Sequence, residues 1–398
     1  MENELLHTPD GVRDIYNGEC HAKMQLQEHL QGIFHQYGFS DIQTPTFEFF
    51  NVFGREIGTT PSKDLYKFFD KEGNTLVLRP DFTPSIARSA VKYFADEDMP
   101  AKLCYMGNTF TNSSSLQGRL KETTQCGVEL IGDGTVAADA EILALSVAAL
   151  KAAGLKEFQI SVGHAGILTE LLAAAGVTDV QERILRDLIQ NKNFFGVTDF
   201  VEKLPMEACV KELFGLLGNF NLSKEDLECA IAKADAYPQV QKVLRELSTL
   251  QIYLEYYGIN RYISLEPGLI SNIHYYSGII FRGYTYGTGE PIVKGGRYNQ
   301  LLGYFGKDEP AIGFVIVVDS LMSALQRQRL LPDIAAQGVL LVATESMAQR
   351  AISRAQELRS RGERVCLLVK ESPISPEEAW NYADKKRLAK VETIYGIK

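Results

Sequence analysis

Apolar and polar residues alternate with period two over residues 103–110 and again over 123–131, with a polar loop rich in Ser and Gly between them. Two half-buried strands forming a long antiparallel hairpin are the expected product. Over residues 19–37 the period becomes helical: Leu26, Leu30, Ile33, Phe34 and Tyr37 share a face, and Gly38 is placed to end the helix. Residues 138–153 form an Ala- and Leu-rich helical run with Asp139 and Glu141 in its first turn, favourable to the helix dipole, and Gly154 behind it. Residues 159–163 read as a strand. From 165 to about 257 helical patterns follow one another, broken at Gly176, Gly196, Pro205, Gly218 and Pro238, as in a helical insertion.

After Gln328 the composition shifts, and strand and helix alternate: strand 339–343, helix about 346–361, strand 365–369, helix about 376–388 and strand 391–395. Alternation of this kind implies parallel crossovers. With 398 residues, the chain divides into a first domain over 1–328 and a small α/β domain over 333–398. The expected class is α+β, an antiparallel sheet flanked by helices.

Composition narrows the partners. Forty-one Lys plus Arg stand against 50 Asp plus Glu, a poor surface for nucleic acid, whose phosphates dominate affinity. Lys385, Lys386, Arg387 and Lys390 make a small basic cluster, read as a solvated helix face. No apolar run approaches the roughly 18 to 20 residues of a membrane helix, and the start, MENELLHTPDGVRD, lacks the basic-then-apolar order of a secretory signal. A cytoplasmic protein with no membrane partner is expected. Cysteines 20, 104, 126, 209, 229 and 366 show no zinc-like spacing and are expected to be reduced thiols. Neither a metal nor a cofactor is called for.

The chemistry gathers in four segments. On the return strand of the hairpin, Gln125, Gly127 and Glu129 share a face, an amide, a bare backbone and a carboxylate in a row suited to an ammonium or imidazole group. In TLVLRPDFTPSIAR (75–88) Pro80 ends an apolar strand and sets Asp81 at its tip, with Thr83 beyond. By itself Arg-Pro-Asp reads more readily as a capped turn than as a site. SNIHYYSGIIFRGY (271–284) carries Tyr275 and Tyr276, which β propensity alone would also explain, and GGRY (295–298) lies downstream. In AIGFVIVVDSLMSAL (311–325) a strand runs into a helix at Asp319 and Ser320.

In this order the segments resemble class II aminoacyl-tRNA synthetases, nearest to the histidine enzymes, over almost the whole chain. GFSDIQTPTFE (38–48) resembles their first motif, which implies a homodimer; the insertion and the last domain fall at matching places, the latter lacking about its final third. The resemblance implies that Asp81, Thr83 and Gln125 hold the ammonium of histidine, that Glu129 and Tyr275 meet its imidazole nitrogens, and that Tyr276 completes the site. Three arginines that family uses on phosphate and carboxylate are replaced here by Thr111, Ser271 and Ser320, with no new Arg beside Ser320. One such charge contact commonly contributes a factor of about 10² to 10³. Arg119 in the hairpin loop matches a family arginine and leaves weak anion affinity open.

The profile resembles the regulatory subunits of ATP phosphoribosyltransferase. That likeness implies no catalysis of its own, a short-form ATP phosphoribosyltransferase catalytic chain as partner, histidine as inhibitory effector, a homodimer within a hetero-oligomer, and no tRNA. Two alternatives stand beside it: an active histidyl-tRNA synthetase with degenerate motifs, and an amino-acid sensor for another partner.

Overall fold

Helix α1 (Asn17–Gln36) buries Leu26, Leu30 and Phe34, the stripe that its spacing predicts, and Gly38 leaves it with φ of 81°. In the computed structural model, which describes residues 6–54, 60–94, 100–113, 120–270, 275–331 and 335–395, α1 leads into β1 (Ser40–Asp41), β2 (Phe47–Phe49) and the short α2 (Phe50–Phe53). There follow β3 (Lys67–Phe69), β4 (Thr75–Leu78), α3 (Thr83–Tyr93), the hairpin strands β5 (Ala101–Phe110) and β6 (Glu122–Ile131), α4 (Val136–Ala152) and β7 (Phe158–His164).

The helical insertion comprises α5 (Ala165–Ala175), α6 (Asp179–Gln190), α7 (Phe194–Glu202), α8 (Ala208–Gly215), α9 (Lys224–Lys233) and α10 (Pro238–Tyr256). Gly176 ends α5 in the left-handed conformation, and Pro238 opens α10 at its first position. One expected break is not a break: Gly196 lies in the first turn of α7. Its N–H donates to the Asn193 side chain at 2.9 Å, and a Cβ there would come within 2.7 Å of that amide, so the glycine admits a cap rather than ending a helix.

Strands β8 (Ile263–Leu265), β9 (Ile279–Thr285), β10 (Val293–Arg297) and β11 (Ala311–Val317), then α11 (Val318–Arg327), complete the first unit. Its sheet runs β1-β5-β6-β11-β10-β9-β7-β8. The interior pairings are antiparallel as expected, while both outer pairings, β1 with β5 and β7 with β8, are parallel. The sheet is therefore mixed, because β1 and β8 are reached by crossovers rather than hairpins. A second, antiparallel sheet, β2-β4-β3, stands apart.

Period-two alternation sorts the hairpin between two cores. Cys126, Val128 and Leu130 face the helical layer with residues of α1 and α4; Leu103, Tyr105 and Ile131 join Phe82 and Ile86 of the α3 region on the other face. Gln125, Gly127 and Glu129 lie in register with this second face.

Asp139 does more than serve a helix dipole. Arg297, ending β10, donates through Nε to its carboxylate at 2.7 Å and through Nη1 and Nη2 to the carbonyl oxygens of Asp133 and Thr135. Both side chains are buried, and burial pushes the Asp139 carboxyl up to about 6 despite the neighbouring guanidinium. Asp139→Ala leaves a buried cation without its counter-ion, so a loss of about 3–5 kcal/mol is expected. Urea unfolding of the variant checks this.

Contacts divide the chain into two compact units, Met1–Leu331 and Pro332–Lys398. The second is a parallel sheet ordered β13-β12-β14, built from β12 (Val339–Thr344), α12 (Ala348–Ser360), β13 (Val365–Lys370), α13 (Pro376–Lys385) and β14 (Lys390–Ile394). A capping box of Ser375 and Glu378 starts α13. It stops earlier than its pattern predicts, with Arg387 at a φ of 53° and Leu388 tucked into the core. No helix among the described residues is long and apolar enough to cross a membrane.

Candidate functional site

Because β6 is flanked by β5 and β11, its odd-numbered face is the floor of a cavity of about 770 Å³. Gln125 and Glu129 rise from that floor, Asp81 and Thr83 enter at the start of α3, and Tyr275 and Tyr276 stand just ahead of β9. All six residues expected from the sequence line this one cavity.

Glu129 is its buried centre, 1% exposed. Thr83 Oγ1 donates to one carboxylate oxygen at 2.7 Å and the Tyr298 hydroxyl donates to the other. Burial pushes the Glu129 carboxyl up to about 8; the two hydroxyls pull it down, and the charge on Asp81 adds to the rise. Room for this carboxylate comes from Gly313, its register partner on β11, where a Cβ would lie 1.8 Å from Oε2. Gly127 has a similar reason: a Cβ there would reach to 2.4 Å from the Tyr105 hydroxyl. Thr83, donating to Glu129, keeps oxygen lone pairs that can accept from an ammonium.

Asp81 is both turn and site residue, since it accepts from the Thr83 backbone N–H at 3.2 Å while lining the cavity. Gln125 Oε1 is buried with no hydrogen-bond partner among the described residues. A buried acceptor left in that state costs about 1–3 kcal/mol, which a donor on a ligand would recover. Tyr275 packs edge-on against Tyr276 and Tyr298, with ring centres 5.2 and 5.7 Å away.

Sequence reasoning missed two contributors here. Tyr298 belongs to GGRY, where Gly296 leaves space that a Cβ would share with the Tyr276 ring at 2.8 Å. Arg79 is buried, stacks at 4.0 Å on Phe82, and donates to the carbonyl oxygens of Asn108, Thr44 and Pro45. Phe82 stacks in turn on Tyr105 at 4.5 Å, so Arg79 fixes the wall beside Glu129.

At the other end the cavity is lined with hydroxyls, among them Thr111, Ser320 and Ser323. Asp319 lies there too, held by Lys23 Nζ at 2.7 Å and the Thr124 N–H at 2.6 Å. Although no arginine adjoins Ser320 in sequence, Arg327 and Lys294 also line the cavity. The signal was available: Ser320, Ser323 and Arg327 stand at i, i+3 and i+7 on α11, one face of a helix. Arg327 donates to the Gly287 carbonyl oxygen. Ser271, His274 and Arg119 lie outside the described residues.

A predominantly antiparallel sheet carrying this Asp, Thr, Gln, Glu and Tyr constellation defines a class II synthetase-like protein of the histidyl type. In agreement, the histidyl-tRNA synthetase family model matches residues 11–321. The chain belongs, more narrowly, to the family of ATP phosphoribosyltransferase regulatory subunits. It is 37% identical over 336 residues to the ATP phosphoribosyltransferase regulatory subunit of Acetivibrio thermocellus, covering 83% of this chain and 78% of that relative. To the protein of the same description from Ruminiclostridium cellulolyticum it is 33% identical, covering 100% and 96%. A crystal structure of an ATP phosphoribosyltransferase regulatory subunit/histidyl-tRNA synthetase from Bacillus halodurans superposes with a TM-score of 0.86 at 30% identity, over 99% of each chain. Histidyl-tRNA synthetase from Nostoc sp. PCC 7120 shares the fold, with a TM-score of 0.80 at 19% identity over 98% of this chain and 92% of that one.

Proposed function

We propose that this chain is the regulatory subunit of an ATP phosphoribosyltransferase, acting in histidine biosynthesis as a non-catalytic partner of a short-form catalytic chain. Histidine is its effector, held in the cavity over β6, and it works as a homodimer within a hetero-oligomer, without tRNA. The observation that carries this reading is the asymmetry of the cavity. At one end Asp81, Thr83, Gln125 and Glu129 present acceptors to an amino acid. At the other it is lined by Thr111, Ser320 and the carboxylate of Asp319, and the resemblance to the synthetases puts Thr111 and Ser320 at positions of arginines that serve ATP there.

Histidine would set its ammonium against Asp81, the Thr83 oxygen and the unpartnered Gln125 Oε1, and its ring between Glu129 and Tyr275, with Tyr276 closing the wall. Regulation requires that histidine bind two states of the complex unequally. Sedimentation of this chain with a short-form catalytic chain is expected to give one hetero-oligomeric species. Separate sedimentation of the two at micromolar concentration would remove the assignment.

A further inference from the structure

On the helical face of the main sheet, away from the cavity, the pairing of β1 with β5 sets Asp41 directly beside Cys104. Above them, the last turns of α1 present Gln31 and His35, four residues apart and so on one face. Asp41 Oδ1 lies 2.7 Å from Gln31 Nε2, 3.0 Å from His35 Nε2 and 3.3 Å from Cys104 Sγ. Gln31 and Cys104 donate to this oxygen and the His35 nitrogen lies against it as well, so three groups crowd one oxygen that has two lone pairs. The His35 nitrogen, the Asp41 oxygen and the Cys104 sulfur all lie within 4.8 Å of one another, and among the described residues no other group of three His, Cys, Asp or Glu side chains converges in this way.

We propose that His35, Asp41 and Cys104 form a binding site for a divalent transition metal of the zinc class. A cation between the three turns the crowding around: the imidazole lone pair, the carboxylate and the thiolate all become donors to one centre. Mixed N, O and S ligation suits zinc, whose bond lengths place neighbouring ligand atoms of a tetrahedral site roughly 3.3–3.6 Å apart. The two separations to Asp41 Oδ1, 3.0 and 3.3 Å, need little adjustment to meet this. Binding releases the Cys104 thiol proton to solvent, and water takes the fourth position. The metal would tie the end of α1 to β1 and β5.

The test uses the full chain freed of metal with a chelator and then titrated with Co²⁺, followed by Zn²⁺. One equivalent of Co²⁺ is expected to produce thiolate-to-cobalt charge-transfer absorption that Zn²⁺ abolishes. Cys104→Ser should remove the absorption. His35→Gln, a change at an exposed side chain that leaves the fold intact, should weaken binding at least about tenfold. Cys229→Ser, at an exposed thiol elsewhere, should change nothing. Absence of the charge-transfer band in the wild type, or its persistence in Cys104→Ser, or an unchanged affinity in His35→Gln, overturns the proposal and leaves a hydrogen-bonded cluster.

Discussion

Histidine-dependent exchange of pyrophosphate into ATP is expected to stay at the level of a protein-free control. Adenylation gathers negative charge on the α-phosphate, and preorganised cations are what offset it. With each one contributing a factor of about 10² to 10³, loss of the charges at positions 111, 271 and 320 leaves no measurable reaction even where their effects overlap. The cavity opposes ATP further, because Asp319, which lines it with Thr111 and Ser320, is fixed there by Lys23 and the Thr124 N–H. Arg327 does not substitute in the present arrangement, its guanidinium being directed to the Gly287 carbonyl oxygen. Restoring one charge by Thr111→Arg should therefore leave exchange at background. Exchange well above the control in the wild-type chain would place it among active synthetases.

Glu129→Ala is expected to weaken histidine binding by about 5- to 150-fold, the range for leaving an imidazole nitrogen buried without its partner at about 1–3 kcal/mol. Wild-type affinity should itself be micromolar or weaker, because the synthetases' arginine contacts to the amino acid's carboxylate are missing. Phenylalanine should not compete, since its ring offers Glu129 and Tyr275 no nitrogen to hydrogen-bond. Calorimetry on wild type, Glu129→Ala and Tyr275→Ala measures all three; unchanged binding in both variants would move the effector site elsewhere. The same carboxyl gives the ligand-free protein a pH signature. Its pKa rises from an ordinary 4.5 to about 8 on folding, so the folded state holds the proton more tightly. The stability this contributes is fully present below 4.5 and is lost as pH rises through about 8. Urea unfolding from about pH 5 to about pH 9 should show the decline, and Glu129→Gln should flatten its part above about pH 6, beyond the range where Asp139 contributes.

Local patterns and convergence explain what the sequence disclosed. The hairpin, α1 and the second unit follow from period and punctuation, and the face of Gln125, Gly127 and Glu129 follows from strand alternation alone. Asp81, Thr83, Tyr275 and Tyr276 needed the order of their motifs, because each short segment also suits an ordinary turn or strand. Features created by distant pairing were not legible: Arg297 meets Asp139 from another strand, and Arg79 reaches carbonyl oxygens on two separate segments. Cys104 meets Asp41 only through the parallel β1 pairing, which no local spacing announces. Gly196 was misread because a glycine that admits a cap has the same sequence signature as one that ends a helix.

Regulation of a phosphoribosyltransferase through this cavity is measurable in a steady-state assay. A short-form catalytic chain is assayed alone, with this chain, and with this chain plus histidine, using wild type and Glu129→Ala in parallel. Turnover is expected to be low for the catalytic chain alone, to rise on adding either form of this chain, and to fall with histidine in a way that Glu129→Ala blunts. Equal turnover with and without this chain, at concentrations where the two sediment together, would contradict it.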